Sequence, residues 1–176
     1  MLCVSSLYAQ NNTARRGILD LTKWKFDQQG YVDLNGEWEF YMSELFTPAD
    51  IDTAEDRPAD YIDFPSVWND VSKSLNPGNG FATYRLRVLI NARQELAIEL
   101  PHFYSNYRMW INGKEFAANG TVGKTKETSL AQWIPQTLPF DATSDTLDFL
   151  IQVSNFHHAK GGVREPIRLG TSDQLI

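Results

Sequence analysis

The segment that decides the fold is "FATYRLRVLI", residues Phe81–Ile90. Tyr84, Leu86, Val88 and Ile90 share one parity, and Thr83, Arg85 and Arg87 share the other. Successive side chains of an extended chain point to opposite faces, so this alternation describes a strand with one apolar and one polar face. The same period of two recurs on both sides. Trp38 and Phe40 alternate with Glu37, Glu39 and Tyr41 in "GEWEFY", and Leu96, Ile98 and Leu100 alternate in "LAIEL". Leu147, Phe149, Ile151 and Val153 do so in "TLDFLIQVSNF". In "YRMWINGKEF", Tyr107, Met109 and Ile111 lead into Asn112-Gly113, a dipeptide suited to the positive-φ positions of a tight hairpin, and a return strand follows. A last short strand fits "PIRLG". Only "TPADI" offers a helix start, with Thr47 as N-cap and Pro48 at the first helical position. Many short strands joined by Gly, Pro and Asn turns give an all-β fold, an antiparallel β-sandwich of jelly-roll type. Its expected core includes Trp38, Phe40, Tyr84, Leu86, Met109, Ile111, Phe149 and Ile151.

At 176 residues, 42% apolar and 22% charged, the chain suits one globular domain and is too apolar for disorder. Residues 17–176 read as the sandwich, and residues 1–16 as a disordered tail. "MLCVSSLYAQ", followed by the polar "NNTARRG", looks like the end of a secretory signal peptide, which implies export. Cys3 is the only cysteine, so neither a disulfide framework nor a cysteine metal site is available. With only Met1 and Leu2 before it, it fits an acylated anchor poorly. No run reaches the length of a transmembrane helix. The net charge of −6 is uneven: ten acidic residues and one basic lie between Glu37 and Asp70, and seven basic and three acidic between Tyr84 and Lys126. Such segregation reads as solvated faces of opposite sign. The acidic balance argues against a nucleic-acid partner, which needs a net basic surface.

The motifs of catalysis are missing. There is no G-x-S-x-G elbow, H-E-x-x-H helix, P-loop or G-x-G-x-x-G fingerprint, and the carboxylates mostly alternate outward. No catalytic residue and no cofactor is therefore expected. "SNFHHAKGG", Ser154–Gly162, carries two of the three histidines, His157 and His158. On a continuing strand the two would point to opposite faces and share no ion, and only Asn155 and Glu165 lie near as further ligands. No metal is expected. The segment reads instead as a strand end and a Gly161-Gly162 turn, forming either a ligand lip or a braced polar corner. Two long connections, Ser66–Gly80 and Asn119–Trp133, carry Trp68 and Trp133, rings well placed to bind.

The ordered set "LNGEWEFY", "FPSVWN", "GFATYRLRV", "YRMWINGKEF", "IQVSNFHHAKGG" and "REPIRLGT" resembles two families. It is similar to the galactose-binding-domain-like N-terminal jelly roll of the beta-galactosidase and beta-glucuronidase family. It more closely resembles the extracytoplasmic sensor domains of bacterial seven-transmembrane receptors with diverse intracellular signalling modules. The resemblance spans Ile18 to Leu175. It implies a periplasmic ligand-sensing ectodomain, tied to the membrane through the rest of the receptor and to a cyclase, histidine kinase, diguanylate cyclase or phosphatase output. The alternative is a noncatalytic carbohydrate-binding module of a glycoside hydrolase, and the third reading is a jelly roll that serves homodimerisation. The hydrolases keep their catalytic carboxylates in a separate barrel, so no catalytic residue carries over. The expected partner is a small-molecule or carbohydrate ligand. Its site would be a shallow lip of Asn155, His157 and Arg164, with Trp68, Asn69, Tyr104 and Asn106 opposite. Trp68 or Tyr104 would be the stacking platform, and His158 would face away under the loop.

Overall fold

The computed structural model describes residues 12–54, 57–71, 78–91 and 93–176. The chain runs β1 (Ile18–Leu21), α1 (Phe26–Gln29), β2 (Val32–Asp33), β3 (Gly36–Met42), α2 (Pro48–Asp52), β4 (Asp60–Phe64) and α3 (Trp68–Val71). It continues through β5 (Gly80–Ile90), β6 (Gln94–Leu100), β7 (Phe103–Tyr104), β8 (Asn106–Ile111) and β9 (Lys114–Asn119). The last elements are β10 (Gln136–Ala142), β11 (Thr146–Asn155), β12 (Gly162–Val163), β13 (Arg168–Gly170) and α4 (Ser172–Leu175). The larger sheet has the order β4-β3-β5-β11-β8-β9, with β1 parallel to the end of β5. The smaller has the order β10-β6-β13-β2, and β12 pairs with β7 apart from both. Every pairing except β1–β5 is antiparallel, so the expected sandwich is what forms.

The period-two residues fill the space between the sheets. All eight expected core residues are buried, and the most exposed, Ile111, shows only 8% of its surface. Trp38 stacks on Phe64 at 4.2 Å and donates from Nε1 to the Leu34 carbonyl, so its one polar atom is satisfied inside the core. The β8–β9 hairpin turns at Asn112 (φ 48°) and Gly113 (φ 77°), positive-φ backbone that Asn tolerates and that Gly, lacking a Cβ, adopts freely. Thr47 caps α2, and the Asp50 carboxylate accepts from its N–H and its hydroxyl.

Four expectations are corrected. The outer face of the larger sheet is not simply solvated: Phe46 and Ile51 fold over Trp110 and Leu150 as a second apolar cluster. Thr83 is buried there too, accepting from the Phe46 N–H and donating to the Glu44 carbonyl. One-turn helices also form at α1, α3 and α4. The sandwich begins before residue 17, because Ala14 is buried and its N–H donates to the Asn35 carbonyl. The tail as far as residue 11 lies outside the described residues, as does the signal-peptide reading that falls on it. Finally, Gly162 is not only a turn residue but starts β12.

Candidate functional site

The loop after β11 is built by Asn155, whose side chain is fully buried. Its Oδ1 accepts from the N–H groups of His157 (3.3 Å) and His158 (3.0 Å), the closed turn that an Asn side chain makes with the backbone following it. Its amide faces the carbonyls of Gly78 (2.6 Å), His158 (2.7 Å) and Lys160 (2.9 Å). The strand therefore ends at Asn155, and its alternation never reaches the histidines. The next residues explain the glycine pair. A Cβ on Gly161 would overlap the Gly78 carbonyl and the Trp68 ring, and one on Gly162, at φ 90°, would overlap the Ser66 carbonyl. Only glycine lets this segment lie against Trp68.

The braced loop meets two other segments, one around β7 and one after β9. Together they enclose a cleft of about 410 Å³ lined by His102, Tyr104, Trp133, His158, Arg164 and Glu165. His158 stacks on Tyr104 with ring centres 4.6 Å apart and 11° between planes, and Trp133 is set edge-on to it at 6.4 Å. The Lys160 N–H donates to His158 Nδ1 at 3.1 Å. The Lys160 carbonyl also lies 3.2 Å from Nδ1, so the loop backbone engages this nitrogen from both sides. Trp133 keeps 49% of its surface exposed. Its backbone is pinned on both sides: the Gln132 N–H donates to the Ser105 carbonyl, and the Asn119 amide donates to the Ile134 carbonyl. Arg164 is exposed and forms no hydrogen bond or ion pair among the described residues. Arg57, Arg85, Arg87, Arg108 and Arg168 are each tied to a carboxylate.

Of the seven expected site residues, the cleft brings together Tyr104 and Arg164. The structure places the other five outside the cleft's lining. Trp68 is no stacking platform, since only 3% of its surface is exposed and its Nε1 donates to the Tyr84 hydroxyl at 2.7 Å in the core. The Tyr84 hydroxyl is itself held protonated, its pKa pushed well up by burial. Asn155 is a brace, and Asn106 is equally buried, accepting from Ser154 Oγ at 2.7 Å. Asn69 ties its loop to the Ala159 carbonyl at 3.2 Å. His157 points to Ser129 at 3.3 Å and does not line the cleft. Its neighbour His158, expected to face away, occupies the place assigned to it. His102 and Glu165 also line the cleft. The Asn155 turn was the sequence signal for the histidine swap, because an Asx turn ends a strand's parity.

Comparison with solved structures places this geometry in a fold. A beta-glucuronidase from an uncultured Clostridium species superposes with a TM-score of 0.57 at 14% identity, over 79% of this chain and 28% of the other. A GH2 beta-galacturonidase from Eisenbergiella tayi bound to galacturonate gives 0.56 at 11%, over 80% and 24%. The fold is similar to that of GH2 β-sandwich domains. A Ruminococcus gnavus beta-glucuronidase in complex with uronic isofagomine agrees, at 0.57 and 11% identity over 79% and 28%. The chain spans under a third of the length of these structures. At such identities the likeness is one of fold. No protein-family model and no curated protein matches the chain.

Proposed function

We propose that the domain is a noncatalytic saccharide-recognition sandwich whose ligand sits between Tyr104, His158 and Trp133. One observation carries this reading: the face-stacked Tyr104–His158 pair beside a half-exposed Trp133, in a cleft that also holds an arginine unpaired among the described residues. Flat rings accept the apolar face of a sugar, and the imidazole and the guanidinium give its hydroxyls directional partners. The similar solved structures are of enzymes that act on sugars, one of them bound to galacturonate. Binding is favoured over turnover because glycoside hydrolysis ordinarily uses two carboxylates, and the cleft's described lining has one, Glu165.

In finer terms we read the domain as the periplasmic ligand-sensing part of a membrane signalling receptor, on the strength of the sequence resemblance. The alternative, a carbohydrate-binding module of a glycoside hydrolase, rests on the fold likeness. The coding sequence beyond Ile176 separates the two, as seven apolar spans or as a catalytic barrel. Among the described residues no helix is long and apolar enough to cross a membrane.

The cleft itself is tested by a thermal-shift screen of neutral and acidic sugars on wild type, Trp133→Ala and Arg164→Ala. At least one sugar should raise the melting temperature of wild type and lose most of that effect in the variants. A sugar that stabilises all three equally places the ligand elsewhere. Release of chromophore from aryl glycosides by wild type, abolished in Glu165→Gln, would end the noncatalytic reading.

A further inference from the structure

Arg164 faces two clefts. Besides the aromatic one it lines a second, of about 220 Å³, with Pro65, Ser66, Val67, Asp70 and Lys160. It is the one residue common to both linings. Ser66 contributes to this second lining, although its Oγ is itself shielded from solvent and without a hydrogen-bond partner among the described residues. The two clefts differ in chemistry. The first is aromatic, with His102 and His158; the second is small and polar, with a second cation, Lys160, beside Asp70.

We propose that the ligand is an acidic saccharide of at least two sugar units, lying across both clefts with a carboxylate on Arg164. This rests on the saccharide reading of the aromatic cleft and deepens it. One sugar stacks in the ring-lined cleft and the next enters the polar one, so the linkage between them passes the guanidinium. A guanidinium presents its donors in a planar fork that matches a carboxylate bidentately, whereas a neutral hydroxymethyl group at the same position engages one donor at most. Arg85 spends this fork on Asp148, and the four other arginines named above are each paired with a carboxylate of the protein. Among the described residues Arg164 keeps its fork free, with Glu165 in one lining and Asp70 in the other. Those two carboxylates restrict the negative charge to the place where Arg164 and Lys160 offset them, and so favour a ligand with one carboxylate per recognised pair over a polyanion.

Titration calorimetry of the full chain with matched disaccharides tests this. The probes are glucuronyl-glucose, with cellobiose as its neutral counterpart and glucuronate as the single unit. An acidic disaccharide should bind about tenfold or more tighter than its neutral counterpart, the worth of a charge-assisted pair. Added salt should weaken the acidic ligand and leave the neutral one unchanged. Arg164→Gln, at an exposed position, should abolish the preference, and Lys160→Gln should weaken the disaccharide but not glucuronate. Equal binding of neutral and acidic disaccharides overturns the acidic assignment while the aromatic cleft stands. Glucuronate binding as tightly as the disaccharide overturns the two-cleft placement. Absence of binding by every probe sinks the saccharide reading together with this one.

Discussion

Asn155 decides whether "SNFHHAKGG" is a braced corner or a ligand lip, and Asn155→Ala separates the two. The residue is fully buried, so the groups it leaves behind are not all rescued by water. The Gly78 carbonyl, itself in a buried residue, loses a 2.6 Å bond, and stranding such a group costs about 1–3 kcal/mol. The His157 and His158 N–H groups are part-buried, and each forfeits a net hydrogen bond of about 0.5–1.5 kcal/mol. The amide has two hydrogens for three nearby carbonyls, so the His158 and Lys160 contacts together add no more than one further bond. The sum spans about 2–7 kcal/mol, and its middle, about 4 kcal/mol, is a lowering of roughly 8–16 °C in melting temperature for a domain of this size. Urea unfolding of wild type and variant measures it. Asn155→Asp keeps the acceptor but sets a carboxylate against three carbonyls, which raises its folded-state pKa above the unfolded value near 3.9. The stability of that variant is therefore present at low pH and lost as pH rises through the folded value. A loss below about 1 kcal/mol for Asn155→Ala, together with a vanished ligand response, would refute the brace and make Asn155 a ligand contact.

The glycine pair gives a second test: Gly161→Ala places a methyl where the Trp68 ring and the Gly78 carbonyl sit, and should cost about 1–3 kcal/mol as overpacking, read by thermal melting. Leu86→Ala, in a fully buried core position, should cost about 2–5 kcal/mol in urea unfolding. The Thr47 hydroxyl, with its backbone N–H, holds the Asp50 carboxyl below its usual 3.8. The cap thus adds stability above that pH and loses it as pH falls through the lowered folded value, so the melting gap between wild type and Asp50→Ala should close in acid.

The architecture was legible because period two is a local signal, and Tyr84, Leu86, Phe149 and Ile151 needed no knowledge of their partners to be placed inside. The outer cluster was not. Trp110 and Leu150 lie on the parity opposite to the core, and only the fold of Phe46 and Ile51 over the sheet makes that face apolar. The site divides in the same way. Tyr104, Trp133 and Arg164 could be singled out as rings and a cation in connecting segments, where a scaffold presents its binding groups. Trp68 looked identical to Trp133 in sequence, because its burial depends on Gly161 and Gly162, which are distant along the chain. The choice of His158 over His157 depends on one side chain, Asn155, ending a strand two residues early.

These misplaced residues also explain why the cleft is suited to selective binding. A ligand that must order its own site loses affinity for each side chain and loop it immobilises, roughly 0.5–1.5 kcal/mol per flexible side chain. Here the ordering is done by groups that line no part of the aromatic cleft. Asn155 fixes the backbone that carries His158, and His158 in turn lies flat on Tyr104. The β7–β12 pairing holds Tyr104, and Trp68 under Gly161 seats the segment leading to Arg164. Gln132 and Ile134 pin the backbone on either side of Trp133. What remains for a ligand to order is chiefly the Trp133 and Arg164 side chains, one the exposed ring and the other a cation unpaired among the described residues. Discrimination between sugars then falls on those two, and the braces beneath them set the geometry they work from.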